Sequence, residues 1–261
     1  MKEIILISGK KQSGKSSLRN YIVGKRVVDS QKSWNTFNIS TKGELMVPIN
    51  KNQMSLLDLN NTYNGFAEYA DQYIWPYAKN YSIANSLKYM CINMFGLDYT
   101  QCFGTDEEKE TSTNIRWSDI KFFLPPRTVG QLRESNKIDE FLTGREFMEN
   151  IGKLFRNIYA TSFVNDCIAN ILNDPYPYCV VDDVRYPNEV EAFLELSRTF
   201  DNIKVHTIRL LRNPYNSSAE AETALDGYPD SVWDFMLDNS EMEIKEKNFL
   251  VDKFLTKNKW I

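Results

Sequence analysis

The N-terminal stretch Ile4-Ile5-Leu6-Ile7-Ser8-Gly9-Lys10-Lys11-Gln12-Ser13-Gly14-Lys15-Ser16-Ser17 constrains this chain more than any other. A short apolar run enters a loop with a glycine at each end, and Lys-Ser-Ser then opens an amphipathic pattern. The spacing is G-x-x-x-x-G-K-[ST], that of a phosphate-binding loop between a strand and a helix. Gly9 and Gly14 permit backbone conformations and close approach that a Cβ would obstruct. The N–H groups of Gln12, Ser13, Gly14, Lys15, Ser16 and Ser17, at the start of a helix, form a concave anion site. Lys15 can reach β- and γ-phosphates, and the Ser16 hydroxyl can ligate Mg²⁺.

Bulk properties narrow the partners. A formal charge of -4 argues against a dedicated duplex-DNA binder, which carries a basic face. Cys91, Cys102, Cys167 and Cys179 show no C-x-x-C spacing, and His206 is the sole histidine, so a Cys/His zinc site is not expected. Single buried thiols fit a reducing compartment. The first apolar run is too short for a signal peptide, and nothing approaches a membrane span. The expectation is a soluble, cytoplasmic protein without membrane partners.

Along the chain, Ser16 to about Gly24 reads as a helix with Leu18, Tyr21 and Ile22 on its buried side. From Val27 to Asn80 the pattern loses helical or strand regularity, and 31–80 reads as an insertion. Within it, 43–49 reads as a short edge hairpin, because Pro48 cannot sit mid-sheet. The aromatics Tyr63, Phe66, Tyr69, Tyr73, Trp75 and Tyr77 read as core cover. A helix carrying Lys88 stops at Gly96. Residues 104–111 read as an acidic loop, and Pro125-Pro126-Arg127 as the start of an irregular polar segment to Asp139. Thr143 and Glu146 form a capping-box pattern for one long helix to about Leu172. Gly152 within it costs about 1 kcal/mol relative to alanine, which predicts close approach of another element.

Tyr178 to Asp183 reads as an apolar strand with acids at its carboxyl end, where a parallel sheet binds ligands. An acid there can hold Mg²⁺ opposite the phosphate loop, and spacing leaves Asp182 and Asp183 both open. A helix from Pro187 and a strand over 203–212 follow, with His206 read as a packed histidine. Arg209 and Arg212 sit at or just past that strand's end. A last strand over 232–237 precedes a final helix with Phe249, Leu250 and Phe254. This order predicts an α/β fold, a parallel β-sheet flanked by helices. Asp183 with Arg185 at a strand end, plus Lys88 and Arg145 on separate elements, favours a small-molecule kinase. Those cations suit a second, acceptor phosphate.

The chain resembles the bacteriophage deoxynucleoside monophosphate kinases, a branch of the nucleoside-monophosphate kinase group of P-loop proteins. The resemblance rests on the phosphate loop and on Ile83-Ala84-Asn85-Ser86-Leu87-Lys88 before a helix ending Met94-Phe95-Gly96-Leu97. It continues in Gly104-Thr105-Asp106-Glu107-Glu108-Lys109 and in Thr143-Gly144-Arg145-Glu146-Phe147. Asp183-Val184-Arg185 with Glu189, Glu222-Thr223-Ala224-Leu225-Asp226 and Leu237-Asp238-Asn239 complete it. Most of the chain outside 31–80 is covered. Departures are Glu149, where the family often has glutamine, and Gly152-Lys153-Leu154, where it often has Gly-Thr-Asp. A further one is the absence of a histidine near Ala219.

What this resemblance implies is a single P-loop kinase domain over 1–261, of P-loop NTPase fold, with lid and acceptor-binding insertions at about 31–80 and 99–142. It implies ATP and Mg²⁺ as cofactors, a deoxynucleoside monophosphate (dNMP) as acceptor, and a homodimer. Catalytic roles fall to Lys15, Arg145, Asp183 and Arg185. Ala84, Lys88, Lys109, Arg145, Glu149, Asp183, Arg185 and Glu189 would line the monophosphate site, Arg212 the donor lid, and Ser16 with Asp183 the metal. The competing readings are a P-loop kinase for another acceptor, such as a nucleic-acid 5′-hydroxyl, and a catalytically silent nucleotide-sensing regulator.

Overall fold

The computed structural model describes residues 1–30, 33–50, 52–61, 64–215 and 220–259; Tyr63 and Ala219 lie outside them. The chain opens with β1 (Lys2–Gly9), α1 (Lys15–Asp29), β2 (Asn38–Ile39), β3 (Leu45–Asn50), β4 (Gln53–Leu57), α2 (Asn64–Tyr73) and β5 (Lys79–Tyr81). Next come α3 (Asn85–Phe95), α4 (Tyr99–Phe103), α5 (Asp106–Lys109), β6 (Ser112–Arg116), α6 (Trp117–Ile120), α7 (Pro126–Glu134), β7 (Phe141–Thr143) and α8 (Gly144–Ile158). The remainder is α9 (Ser162–Asn173), β8 (Tyr178–Val184), α10 (Pro187–Thr199), β9 (Ile203–Leu210), α11 (Glu220–Thr223), β10 (Phe235–Leu237) and α12 (Ile244–Lys257). Two compact units result: Met1–Ile83 with Cys167–Ile261, and Ala84–Asp166.

The first unit is built on a five-stranded sheet in the order β10-β9-β1-β8-β5, every pairing parallel. Ile4 to Ile7 of β1 are all buried, with no alternation, as befits a central strand covered on both faces. Leu18, Ile22, Val23 and Val27 of α1 pack against it with Val251 and Leu255 of α12. His206 of β9 is largely buried, with its Nε2 3.4 Å from a Glu3 carboxylate oxygen. Helix α1 runs past Gly24 to Asp29, and Tyr21 is only half-buried on it.

The segment 33–78 packs Trp34, Leu45, Val47, Leu59, Phe66, Ala70, Ile74 and Ala78 into that same core. Its strands form an antiparallel sheet, β2-β3-β4, so β3 is the middle strand and not an edge. Pro48 is accommodated because β2 pairs only with Leu45 and Met46, leaving the proline beyond its end. The turn before β3 rests on α1. Asn20 Nδ2 donates to Gly43 O at 2.9 Å, and a Cβ on Gly43 (φ 84°) would stand 2.7 Å from Ser17 Cβ.

The second unit has its own core of Cys91, Leu97, Cys102, Ile120, Leu124, Leu142, Phe147 and Ile151. The capping box forms as expected: Thr143 Oγ1 accepts from Glu146 N–H, and the Glu146 carboxylate accepts from Thr143 N–H. The long helix does not. Tyr159 turns extended (φ -151°, ψ 105°), ending α8, and α9 begins at Ser162. The expected acidic loop is the helical turn α5, capped by Thr105, and the expected irregular segment contains α7, with Pro126 in its first turn, where no N–H is needed. A Cβ on Gly152 would stand 3.1 Å from Leu87 Cδ2, the close approach its mid-helix position predicted. All four cysteines are buried, and among the described residues no helix is long and apolar enough to cross a membrane.

Gly43→Ala combines a left-handed backbone with a clash against Ser17, so it should cost roughly 1–3 kcal/mol. Denaturant unfolding measures this; an unchanged midpoint would mean that the turn yields freely.

Candidate functional site

The phosphate loop joins β1 to α1 at the carboxyl end of the parallel sheet, where ligands of such sheets bind. Gly14 (φ 94°) makes the turn into α1, whose first intrahelical bond runs from Leu18 N to Gly14 O at 3.0 Å. The N–H groups of Lys15, Ser16 and Ser17 therefore precede the helical ladder, next to the positive end of the helix dipole. Lys15 is buried, and its Nζ donates to Gly9 O (2.6 Å) and Lys10 O (2.7 Å). Burial, followed by the neighbouring Arg185 guanidinium, pulls its pKa down to about 8, against the pull of Glu222, Asp182 and Asp183. Ser16 is exposed at the helix start. Ser13 Oγ is buried without a hydrogen-bond partner among the described residues, and Gln12 (φ 57°) accepts from the Tyr215 hydroxyl at 2.6 Å.

A cavity of about 300 Å³ opens beside the loop between the ends of β1, β8 and β9, lined by Ser8, Gly9, Lys10, Arg185, Arg209, Glu222 and Asp226 among others. Its cations are paired with acids from one short segment. Glu222 accepts from the Lys11 backbone N–H and from Arg185 Nη1. Asp226 meets Lys10 Nζ at 2.8 Å and Arg209 Nη2 at 3.5 Å. The Glu222 carboxylate thus takes a loop N–H and a guanidinium that an oxygen of a bound phosphate would use.

The two adjacent aspartates differ in surroundings. Asp182 is buried against Arg19, 3.3 Å away, a residue whose guanidinium also reaches Asn20 and Asn60. Asp183 is half-buried and accepts from Ser82 Oγ (2.6 Å) and Ile83 N–H (3.0 Å). Both act electrostatically on Lys15. Glu189 caps α10, accepting from Arg185 N–H (2.7 Å) and Tyr186 N–H (3.1 Å), so it orients the backbone that carries Arg185. Arg212 is exposed just past β9, its N–H donating to Asn239 Oδ1 at 3.3 Å.

The other expected site residues belong to the second unit. Ala84 precedes α3, and Lys88, one turn in, lies over the Phe103 ring at 4.6 Å. Lys88 and Lys109 both act on the Cys102 thiol, whose pKa rises because burial outweighs them. Arg145 pairs with Asp106 and Glu110 on either side of Lys109, and Glu149 is exposed one turn further along α8. Lys88, Lys109 and Arg145 are thereby gathered around α4 and α5.

Sequence reasoning missed Lys247 and noted Asn239 only within a family-like string, with no role. Asn239 Nδ2 donates to Ser13 O at 2.8 Å, and Lys247 Nζ donates to Gly14 O at 3.0 Å and Ser17 Oγ at 3.3 Å. Both lie more than 200 residues from the loop, with no spacing motif to flag them. Glu222 was noted only as part of a family-like string.

Fold and loop together define the class: this is a P-loop NTPase fold, a five-stranded parallel sheet flanked by helices with G-x-x-x-x-G-K-S after its central strand. No protein-family model matches the chain. It is similar to a protein of Acanthamoeba polyphaga mimivirus named "Putative deoxynucleotide monophosphate kinase", 31% identical over 116 residues. That alignment takes in 44% of this chain and 54% of the viral protein, so the chain spans about half the length of the curated relative it matches.

Asp182→Ala leaves the Arg19 guanidinium buried and unpaired, so it should cost about 3–5 kcal/mol. Asp183→Asn should cost clearly less; equal losses in denaturant unfolding would erase the distinction. Glu222→Gln removes the charge that competes with a phosphate and should tighten tripolyphosphate binding roughly tenfold. Calorimetry showing weaker binding would mean that Glu222 assists the anion.

Proposed function

We propose that this protein is an ATP-dependent deoxynucleoside monophosphate kinase that converts a dNMP and ATP to a dNDP and ADP. The observation that carries the proposal is the buried Lys15 in a phosphate loop, within electrostatic reach of Arg185 and Asp183 on the neighbouring strand end. The partial similarity to the mimivirus protein supports the choice of acceptor. The chain acts as one kinase domain, with 31–80 and 99–142 as insertions.

Gly9, Gln12, Ser13, Gly14, Lys15, Ser16 and Ser17 hold the ATP tail, with Arg212 on the donor side. Ala84, Lys88, Lys109, Arg145, Glu149, Asp183, Arg185 and Glu189 serve the monophosphate. An α-phosphate oxygen of the acceptor attacks the γ-phosphorus in line, the bond to the β,γ-bridging oxygen breaks, and ADP leaves. That oxygen is already ionised near neutral pH, so no strong general base is required. The work is positioning and neutralising charge on the transferring group, which suits a site rich in Lys and Arg.

Mg²⁺ fits the oxygen donors at hand. The Ser16 hydroxyl is exposed at the helix start, and Asp183 is half-buried, whereas Asp182 is committed to Arg19. Mg²⁺ commonly takes one or two protein oxygens and completes its shell with phosphates and water. When bound, the ion would supply further neutralisation of the polyphosphate.

A coupled ADP-release assay over dAMP, dGMP, dCMP, dTMP and their ribo forms with Mg-ATP tests the proposal. Transfer to at least one dNMP is expected, and Lys15→Ala should lower its efficiency at least ~100-fold with the fold intact. ATP binding without ADP formation on any nucleotide would favour a nucleotide-sensing regulator instead.

A further inference from the structure

Lys247 of α12 reaches the phosphate loop from a part of the chain to which the proposed reaction gives no role. It is 2% exposed, and its Nζ donates to Gly14 O and Ser17 Oγ. A Cβ on Gly14 would stand 3.1 Å from that Nζ, so the ammonium fills the space behind this glycine. Other cations of this unit have partners: Arg19 has Asp182, Lys79 has Asp174, Lys10 has Asp226 and Arg185 has Glu222. Lys247 has no carboxylate within ion-pair distance among the described residues, and the charged side chain acting on it, Arg212, bears the same sign. Burial first, then Arg212, holds its pKa at about 8. An ammonium removed from water without a counter-charge opposes folding, so its presence here calls for an anion that arrives with the ligand.

We propose that Lys247 is a positioning residue of the phosphate site: it fixes the Gly14 carbonyl and the Ser17 hydroxyl, and its unbalanced charge is compensated by the bound polyphosphate. This rests on the reading that the loop binds a nucleotide's phosphate tail. Gly14 O accepts from both Leu18 N–H and Lys247 Nζ, so loss of Lys247 leaves that carbonyl with a partner while the loop loses a charge.

The test is titration calorimetry with sodium tripolyphosphate in Mg²⁺-free buffer, beside thermal unfolding without ligand, on wild type and on Lys247→Met, Lys247→Gln and Lys247→Arg. Lys247→Met should unfold at the wild-type temperature or above, yet bind about tenfold more weakly, whereas Lys247→Arg should keep most of the affinity. Binding by Lys247→Met within about twofold of wild type would overturn the proposal. So would affinity that falls across the variants only in step with unfolding temperature, the mark of a packing role. Should Lys247→Met fail to fold, Lys247→Gln against Lys247→Arg makes the same comparison. Wild type that binds neither tripolyphosphate nor ATP would instead sink the phosphate-site reading itself.

Discussion

The phosphate loop is held in shape by donors that take its carbonyl oxygens. Lys15 takes those of Gly9 and Lys10, Asn239 that of Ser13, and Lys247 that of Gly14. Ser13 N–H is also used within the loop, donating to Lys10 O at 3.1 Å, and Lys11 N–H meets Glu222, so the remaining loop N–H groups are the ones left for an anion. The arrangement depends on β1 lying between β8 and β9. That position delivers the loop to the carboxyl end of the sheet beside Asp183 and Arg185, and brings the elements after β9 within reach of it.

Charge around the loop is stored in two forms. Lys10, Arg185 and Arg209 are paired with Asp226 and Glu222 at the rim of the cavity. The Lys10–Asp226 pair is partly exposed, and pairs of that kind are worth about 0–1 kcal/mol, whereas the Glu222 carboxylate that meets Arg185 is largely buried. Arg19 with Asp182 is the opposite case: buried, hydrogen-bonded on several sides and unsuited to exchange. Two neighbouring aspartates thus differ in kind: Asp182 is committed to Arg19, while Asp183 is half-buried and accepts from Ser82 and Ile83.

Much of this was legible in the order of residues, and the failures have physical causes. The loop, its strand and helix, the capping box at Thr143 and the αL stop at Gly96 are local, each set by residues within a few positions. The break at Tyr159 carries no glycine or proline; Tyr159 N–H closes one helix on Phe155 O and Ser162 N–H opens the next on Tyr159 O, a choice that local propensity does not signal. Pro125-Pro126 was misread because proline, which stops a helix from within, also starts one at its first turn. In the final helix, Phe249 is exposed, while Lys247, Val251 and Leu255 are buried. A long polar residue on the inner face defeats any reading by hydrophobic pattern.

By itself the sequence determined a phosphate-binding strand–loop–helix and a parallel α/β scaffold, because glycine spacing and apolar runs act through neighbours in the chain. Only the tertiary structure decided which aspartate was already committed, which carboxylate meets Lys11 N–H and Arg185, and which lysine stands behind Gly14. Those contacts join residues far apart in the chain. Which charges meet is set by the order in which parallel strands line up, and that order is written in no single segment.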